Sequence, residues 1–177
     1  MEATLELPEN VDVKIDGRTV MVKGPKGENK RIIDNPALQI SVDGKNVTLK
    51  SEKSTKREKK GMFTLRAHIR NMIKGSIDGH KYVLKICSSH FPMNVAVNGD
   101  NLVIKNFIGE KHPRTLAIKH GVDVKVEGDL INIESTSKEL AGTTASDIEK
   151  LTKRPGYDLR IFQDGIYIIN KDGKEIK

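Results

Sequence analysis

The residues that could do chemistry are few and scattered. The one cysteine, Cys87, has His90 three residues on, a pairing that could in principle serve a thiolate nucleophile. Cys87 closes the run Tyr82-Val83-Leu84-Lys85-Ile86-Cys87, however, whose apolar and β-branched character reads as a strand. A thiol in such a run is expected to be buried and inert. The histidines fall at 68, 80, 90, 112 and 120. No two have the His-x-x-x-His spacing that puts both rings on one helix face for a metal, and none has a cluster of carboxylates beside it in sequence. His68 stands between Arg66 and Arg70, where a surface or RNA-facing role is natural. The other four read as isolated surface or boundary side chains.

Two glycine-containing segments suggest phosphate binding. Gly24-Pro25-Lys26-Gly27-Glu28-Asn29-Lys30 lacks the Gly-Lys-Ser/Thr ending of a phosphate loop and leads into no helical pattern. It reads better as a strand-to-strand loop with a lysine at its tip. Gly142-Thr143-Thr144, ahead of a helical stretch, could offer backbone N–H groups to a phosphate or could simply start a helix. The carboxylates are spread through turns, with no pair placed for acid–base work. The sequence therefore points to a protein that is not an enzyme, with no catalytic residue, no metal site and no cofactor.

Binding chemistry is better represented. Residues 150–162 interleave Lys150, Lys153, Arg154 and Arg160 with Tyr157 and Phe162 around the turn Pro155-Gly156. Guanidinium and ammonium groups pair with phosphates, and aromatic rings stack on unpaired bases. Phe162 reads as a core residue, and Tyr157 as either a stacking ring or a half-buried cap. The net charge of +7 and a pI near 9.4 suit an anionic partner. Most of the excess lies elsewhere, however. Residues 51–81 carry 9 basic and 3 acidic side chains, around Lys53-Ser54-Thr55-Lys56-Arg57-Glu58-Lys59-Lys60, whereas residues 1–50 carry 8 of each.

The elements that must position these residues are mostly strands. Val11-Asp12-Val13-Lys14-Ile15, the turn Asp16-Gly17 and Val20-Met21-Val22-Lys23 read as one hairpin; 38–42, Asp43-Gly44 and 47–49 read as a second. The same text returns in 95–105 and in 124–133. A shift of 82 carries Val13 to Val95, Gly17 to Gly99 and Gly27 to Gly109, and a shift of 84 carries Ile40 to Val124 and Gly44 to Gly128. Each copy continues into one helix. In the first, Leu65, Ile69, Met72 and Ile73 form an apolar stripe beside Arg66, Arg70 and Lys74, with Gly75 as the stop. In the second, Ser146-Asp147-Ile148-Glu149 has capping-box spacing and Pro155-Gly156 ends the helix. The expected fold is α+β: two tandem similar domains, 1–79 and 80–177, each an antiparallel β-sheet with one α-helix packed on one face. At 177 residues with 36% apolar and 4% aromatic side chains, two thin cores suit the composition better than one large one. No run is long enough to span a membrane, the start Met1-Glu2-Ala3-Thr4 has no signal-peptide pattern, and a lone cysteine suits a reducing compartment.

Arg160-Ile161-Phe162-Gln163-Asp164-Gly165-Ile166-Tyr167 resembles the signature of the ribosomal protein L6 family in its archaeal–eukaryotic branch. Pro8-Glu9-Asn10-Val11, 22–27, His90-Phe91-Pro92 and Asn106-Phe107-Ile108-Gly109-Glu110-Lys111 match the same pattern, so the resemblance covers the whole chain. It departs locally at Tyr157, where a basic residue would be usual.

The resemblance implies two similar α+β domains. It also implies a non-catalytic structural role in the large ribosomal subunit, binding large-subunit rRNA near the sarcin–ricin loop and the stalk base. Neighbouring ribosomal proteins and translational GTPases would lie nearby. The protein would be a cytoplasmic monomer within the ribosome, with no membrane contact. It places the main rRNA contacts in the C-terminal domain, at Lys150, Lys153, Arg154, Tyr157, Arg160 and Lys171. The charge distribution instead singles out the first helix and its preceding loop, with Lys56, Arg57, Lys59, Arg66 and Arg70. The C-terminal segment ranks first and the helix second. A reading from another class is a tandem protein-interaction module that adds partner strands to exposed sheet edges.

Overall fold

The structure, a computed structural model, describes all residues except Asp34, Pro36, Lys45, Leu159 and Lys177. It divides into two compact units, Met1–Gly79 with Thr136–Lys138, and His80–Ser135 with Glu139–Lys177.

In the first unit, β1 (Glu2–Glu6), β5 (Leu38–Asp43) and β6 (Asn46–Ser51) form one antiparallel sheet in the order β1-β6-β5. β2 (Asp12–Asp16), β3 (Thr19–Gly24) and β4 (Gly27–Ile32) form another in chain order. The helix α1 (Lys56–Ile77) follows and packs against strands of both. Val20, Val22, Val47, Leu49, Met62 and Ile69 make a dry core between them.

The second unit repeats the scheme and enlarges it. β8 (Asn94–Asn98), β9 (Asn101–Lys105) and β10 (Arg114–Ala117) form a three-stranded sheet. β7 (His80–Cys87) lies at the centre of a five-stranded sheet, flanked by β12 (Leu130–Ser135) and β13 (Gly165–Lys171), with β11 (Val122–Glu127) and β14 (Lys174–Glu175) outside. The helix α2 (Lys138–Leu151) contributes Ala141, Ala145 and Ile148 to a core with Leu84, Leu102, Ile104, Ile131 and Ile166.

The α+β class holds: among the described residues each unit has one α-helix, the second also a short 3-10 turn at Phe107–Gly109, and the strand pairing is antiparallel; the strands of each unit are shared between two sheets. The four hairpins seen in the sequence are present with equivalent registers. Val13 faces Val22 and Ile15 faces Val20 in the first unit, as Val95 faces Ile104 and Val97 faces Leu102 in the second. Ile40 faces Leu49 as Val124 faces Ile133. The turn glycines 17, 44, 99 and 128 all have φ between 56° and 58°, a conformation costly for side chains with a Cβ. β1, β4, β10, β13 and β14 are additions to the strands expected.

Both helix boundaries differ from expectation. Gly75 does not stop α1: it is buried inside it, and the helix runs on until Gly79, at φ 75°, donates its N–H to the Gly75 carbonyl. α2 begins eight residues before Ser146, which therefore sits in the helix rather than capping it. The early part was illegible because its buried stripe is built from alanines. Small residues let the helix lie close to β7: a Cβ at Gly142 would stand 3.3 Å from the Tyr82 hydroxyl. Gly142-Thr143-Thr144 thus lies within the helix, with the Thr143 hydroxyl donating to the Glu139 carbonyl, so the phosphate-loop reading falls. Of the strand-to-strand loop expected over 24–30, the turn is confined to Gly24–Gly27 with Lys26 at its tip, and Glu28, Asn29 and Lys30 belong to β4, paired with β3.

Candidate nucleic-acid interface

After α2 the chain must return to begin β13 beside β7, and the segment 152–164 that does so carries most of the basic and aromatic side chains singled out in the C-terminal part of the sequence. Three arrangements of polar groups fix it. The first closes the end of α2. Arg114 donates from Nη1 to the Leu151 carbonyl at 2.5 Å, a cation placed at the negative end of the helix. Glu110 holds that guanidinium from both oxygens, accepting from Nε at 2.8 Å and from Nη2 at 2.6 Å, while Phe107 lies beneath it with 4.3 Å to the ring centroid. The hydrogen bond from Arg114 keeps the Glu110 carboxyl below its ordinary value against the opposing effect of burial. Arg154 reaches the same carboxylate at 3.6 Å and lies over the Tyr157 ring at 4.5 Å.

The second arrangement anchors the start of β13. The Asp164 carboxylate is buried, with a side chain 2% exposed, and accepts from the Ser89 amide at 2.6 Å, the His90 amide at 3.0 Å and the Ser89 hydroxyl at 3.0 Å. Nδ1 of His90 lies 2.5 Å from the same carboxylate. An ionised carboxylate only accepts, so the Nδ1 proton faces it. Burial pushes the Asp164 carboxyl up, but the bonds from His90 and Ser89 outweigh it and hold the group well below the usual carboxylate range. Phe162 then stacks on His90, with ring centroids 4.7 Å apart, and meets Tyr157 edge-on at 4.8 Å.

The third arrangement is a local clasp. Arg160 donates its amide, Nε and Nη2 to Asp158, at 2.9, 3.1 and 2.8 Å, while remaining 89% exposed.

These contacts enclose a cleft of about 580 Å3 between the end of α2 and the start of β13. Lys150, Lys153, Arg154, Tyr157, Phe162 and Tyr167 line it, together with Glu149 and Asp164. Of the C-terminal residues proposed from sequence, the fold gathers Lys150, Lys153, Arg154 and Tyr157 here, with Arg160 on the adjoining turn. Lys171 is apart: it ends β13, six residues from Gly165, about 20 Å along an extended strand. In the first unit, Lys56, Arg57 and Lys59 are exposed on the opening of α1, Arg70 is exposed further along, and Arg66 is half-buried.

Several sequence readings need correcting. His90 and His80 are not isolated, because folding brings carboxylates from far along the chain to each. His80 is fully buried at the start of β7, with Nδ1 3.2 Å from Asp172. Cys87 is half-buried rather than buried, since it lies at the end of β7 opposite Gly165, which has no side chain to cover it. Phe162 is half-buried, part of an aromatic stack and not of the core, and Tyr157 is exposed. Sequence reasoning gave no role to Arg114, Glu110, Asp164 or Tyr167. For Arg114 no signal existed, as its partner carbonyl is 37 residues away. For Asp164 and Tyr167 the signal was the signature block itself. Among the described residues no group of three His, Cys, Asp or Glu is placed to hold a metal, and no helix is long and apolar enough to cross a membrane.

Comparison with known proteins finds similarity in both units. A family model described as ribosomal protein L6 matches residues 7–79 and again 91–165, one stretch in each unit. The large ribosomal subunit protein uL6 of Methanococcus vannielii is 44% identical over 170 residues, covering 96% of this chain and 93% of its own. Its counterpart from Methanobrevibacter smithii is 45% identical over 168 residues, covering 95% and 94%. With a repeated fold, matching family models in both units and relatives that align from end to end, the chain belongs to the ribosomal protein L6 family.

Proposed function

We propose that this protein is a structural constituent of the large ribosomal subunit and binds large-subunit rRNA chiefly through its second unit. The observation that carries the reading is the cleft at the end of α2, where lysines and arginines surround exposed aromatic rings on a hydrogen-bonded frame. Phosphates and unpaired bases are the ligand groups that such a surface fits. In this reading residues 1–79 and 80–177 are two domains of one duplicated design, the second being the main rRNA-binding domain. Lys150, Lys153, Arg154, Tyr157 and Arg160 make the primary contact, and the exposed cations of α1 a second. The site on the subunit is the neighbourhood of the sarcin–ricin loop and stalk base, beside neighbouring ribosomal proteins and the binding region of translational GTPases. The protein acts there as a cytoplasmic monomer within the ribosome, without catalysis of its own.

Strand addition at a sheet edge is less well supported. The edge strand β11 presents Asp123, Lys125 and Glu127 exposed along it, an alternation of charge that discourages pairing with another chain. Salt dependence separates the readings. Neutralising Z phosphates gives log K against log salt a slope of roughly −0.7Z to −0.9Z. The expected result is co-sedimentation with the large subunit, release only at high salt, and a steep slope for binding to archaeal large-subunit rRNA. A flat slope, or no binding to that RNA, would refute the proposal.

A further inference from the structure

The cleft has a more specific construction than a general electropositive surface needs. Its volume of about 580 Å3 lies within the ~300–1,000 Å3 range of sites for small organic groups. Along β13, Ile166 and Ile168 point into the core, and alternation puts Tyr167 on the other face, 40% exposed and lining the cleft. The Tyr167 ring rests against Gly165: a Cβ there would stand 3.2 Å from Oη and 3.3 Å from Cε2 and Cζ. Gly165 has no positive φ, so glycine serves here to give the ring room and not to free the backbone. An aromatic ring packed on bare backbone, with a surface left open, is a fixed stacking platform that contributes little to the core.

The charges around it are mixed. Glu149 and Asp164 line the cleft, the Asp164 carboxylate buried behind its bonds to Ser89 and His90, and the one arginine lining it, Arg154, is already paired with Glu110, so the interior suits a neutral base better than a phosphate. Lys150 and Lys153 are exposed and suited to the phosphates on either side of an inserted base. Ile108, another lining residue, is held at φ 48° and ψ 40°, a left-handed conformation costly for a β-branched side chain and characteristic of functional sites.

From this arrangement we infer that the cleft receives one unpaired nucleotide of the bound RNA, its base stacked on Tyr167 and its flanking phosphates held by Lys150 and Lys153. The inference rests on the RNA-binding reading above and adds to it the ligand group and the residue that takes it. The test uses the full-length protein and archaeal large-subunit rRNA, with affinity measured across a salt series and 254-nm crosslinks mapped by mass spectrometry. Tyr167→Phe keeps the ring and should bind within twofold of the wild type. Tyr167→Ala and Tyr167→Leu should each lose about tenfold or more, as expected for one base–aromatic stack. Their salt slope should be unchanged, because no phosphate contact is lost. Lys150→Ala with Lys153→Ala should reduce the slope by about 0.7–0.9 for each contact removed. A crosslink between Tyr167 and a single nucleotide completes the expected result.

The leucine variant retains apolar bulk on Gly165, so its normal binding beside a weak alanine variant would trace the loss to packing and overturn the inference. Wild-type affinity in both variants, with no crosslink at Tyr167, would overturn it while leaving the RNA-binding reading standing. Failure of the wild-type protein to bind this RNA would instead defeat the broader reading.

Discussion

The two units present their cations in opposite ways. On α1, Lys56, Arg57 and Lys59 crowd the exposed first turn of a helix, where the helix dipole is already positive. In the second unit Arg154 and Arg160 are held in place, the one by Glu110 and the Tyr157 ring, the other by Asp158. The first arrangement has the greater density of charge and the second the greater order. Unordered surface charge draws a polyanion from a distance and speeds encounter, but each flexible side chain loses rotamer freedom when it is pinned on a phosphate. Cations already held by rings and carboxylates have lost much of that freedom in folding, although their carboxylate partners offset part of the attraction. If the ordered cations of the second unit make the primary contact, as proposed, net charge read from sequence locates the region of long-range attraction better than the region of recognition.

The most direct way to break this comparison is to remove three cations from each region. Replacing Lys153, Arg154 and Arg160 together by Ala should weaken binding to large-subunit rRNA by about 3–4.5 kcal/mol, at roughly 1–1.5 for each charged contact. It should also flatten the salt slope by about 2–3 units if all three reach phosphates. Replacing Lys56, Arg57 and Lys59 removes the same formal charge, yet should cost less affinity. Because like charge at a helix N-terminus is unfavourable by about 0.3–1 kcal/mol, this second variant should melt no lower than wild type. A larger loss of affinity in the α1 variant, with both proteins folded, would show charge density to be the better guide.

The next largest effect concerns the frame beneath the ordered cations. Asp164→Ala removes the acceptor for two amides, a hydroxyl and an imidazole, and should cost about 3 kcal/mol in chemical denaturation. The ionised carboxylate is favoured by folding, so its contribution is complete above the unfolded pKa of about 4 and is lost as pH falls through the lower folded value. The stability gap between wild type and Asp164→Asn should accordingly be constant above about pH 5 and narrow on acidification. A gap independent of pH down to about pH 2 would mean that the carboxylate's charge is not what holds the 89–90 turn.

How far the sequence revealed all this depended on the range of the interactions. Hairpins were legible because alternation and turn chemistry are local: Asp16-Gly17 and Val124-Lys125-Val126 carry their own evidence. β4 was not, because Gly27–Ile32 has no apolar alternation and Asn29 is its one buried side chain. The front of α2 was hidden by its alanine stripe, which gives little contrast between faces. The division of each unit into two sheets is a matter of pairing between distant strands, such as β1 with β6, on which local pattern is silent. Within the site, the side chains of one segment could be named, but Asp164 with His90 and Arg114 with Leu151 are pairs separated by 74 and 37 residues. Only folding brings such groups together.

A smaller effect sharpens the comparison at one repeat position. The shift of 82 relates Gly24 in the first unit to Asn106 in the second. A Cβ on Gly24 would meet the Ser76 carbonyl oxygen at 2.7 Å, so the glycine is there for close approach to the end of α1. Asn106 instead adopts φ 60° and donates from Nδ2 to the Pro92 carbonyl at 3.0 Å. Gly24→Ala should therefore destabilise the protein by about 2 kcal/mol in urea unfolding, an overpacking cost against backbone. Asn106→Gly, which relieves the left-handed strain while losing one exposed hydrogen bond, should change stability by less than about 1 kcal/mol. Equal losses at the two positions would mean that the duplicated turns meet the same constraint after all.

The smallest effect is expected at Cys87, the one residue whose chemistry could have suggested an enzyme. It closes β7 opposite Gly165, half-buried, and no disulfide partner exists in a chain with a single cysteine. His90, its nearest candidate activator in sequence, has its Nδ1 turned to Asp164 and its ring stacked on Phe162. A thiol without an activating base behaves as a small apolar side chain, and a partly exposed one leaves little cavity when it is shortened. Cys87→Ala should thus cost under about 1 kcal/mol in thermal or urea unfolding and leave rRNA affinity within twofold of wild type. The position is informative because it adjoins Gly165, against which the Tyr167 ring rests. If Cys87→Ala lowered rRNA affinity tenfold while the protein remained folded, this end of β7 would have to belong to the recognition surface. The contrast between a bare charged helix and an ordered cleft would then need to include the strand beneath that cleft.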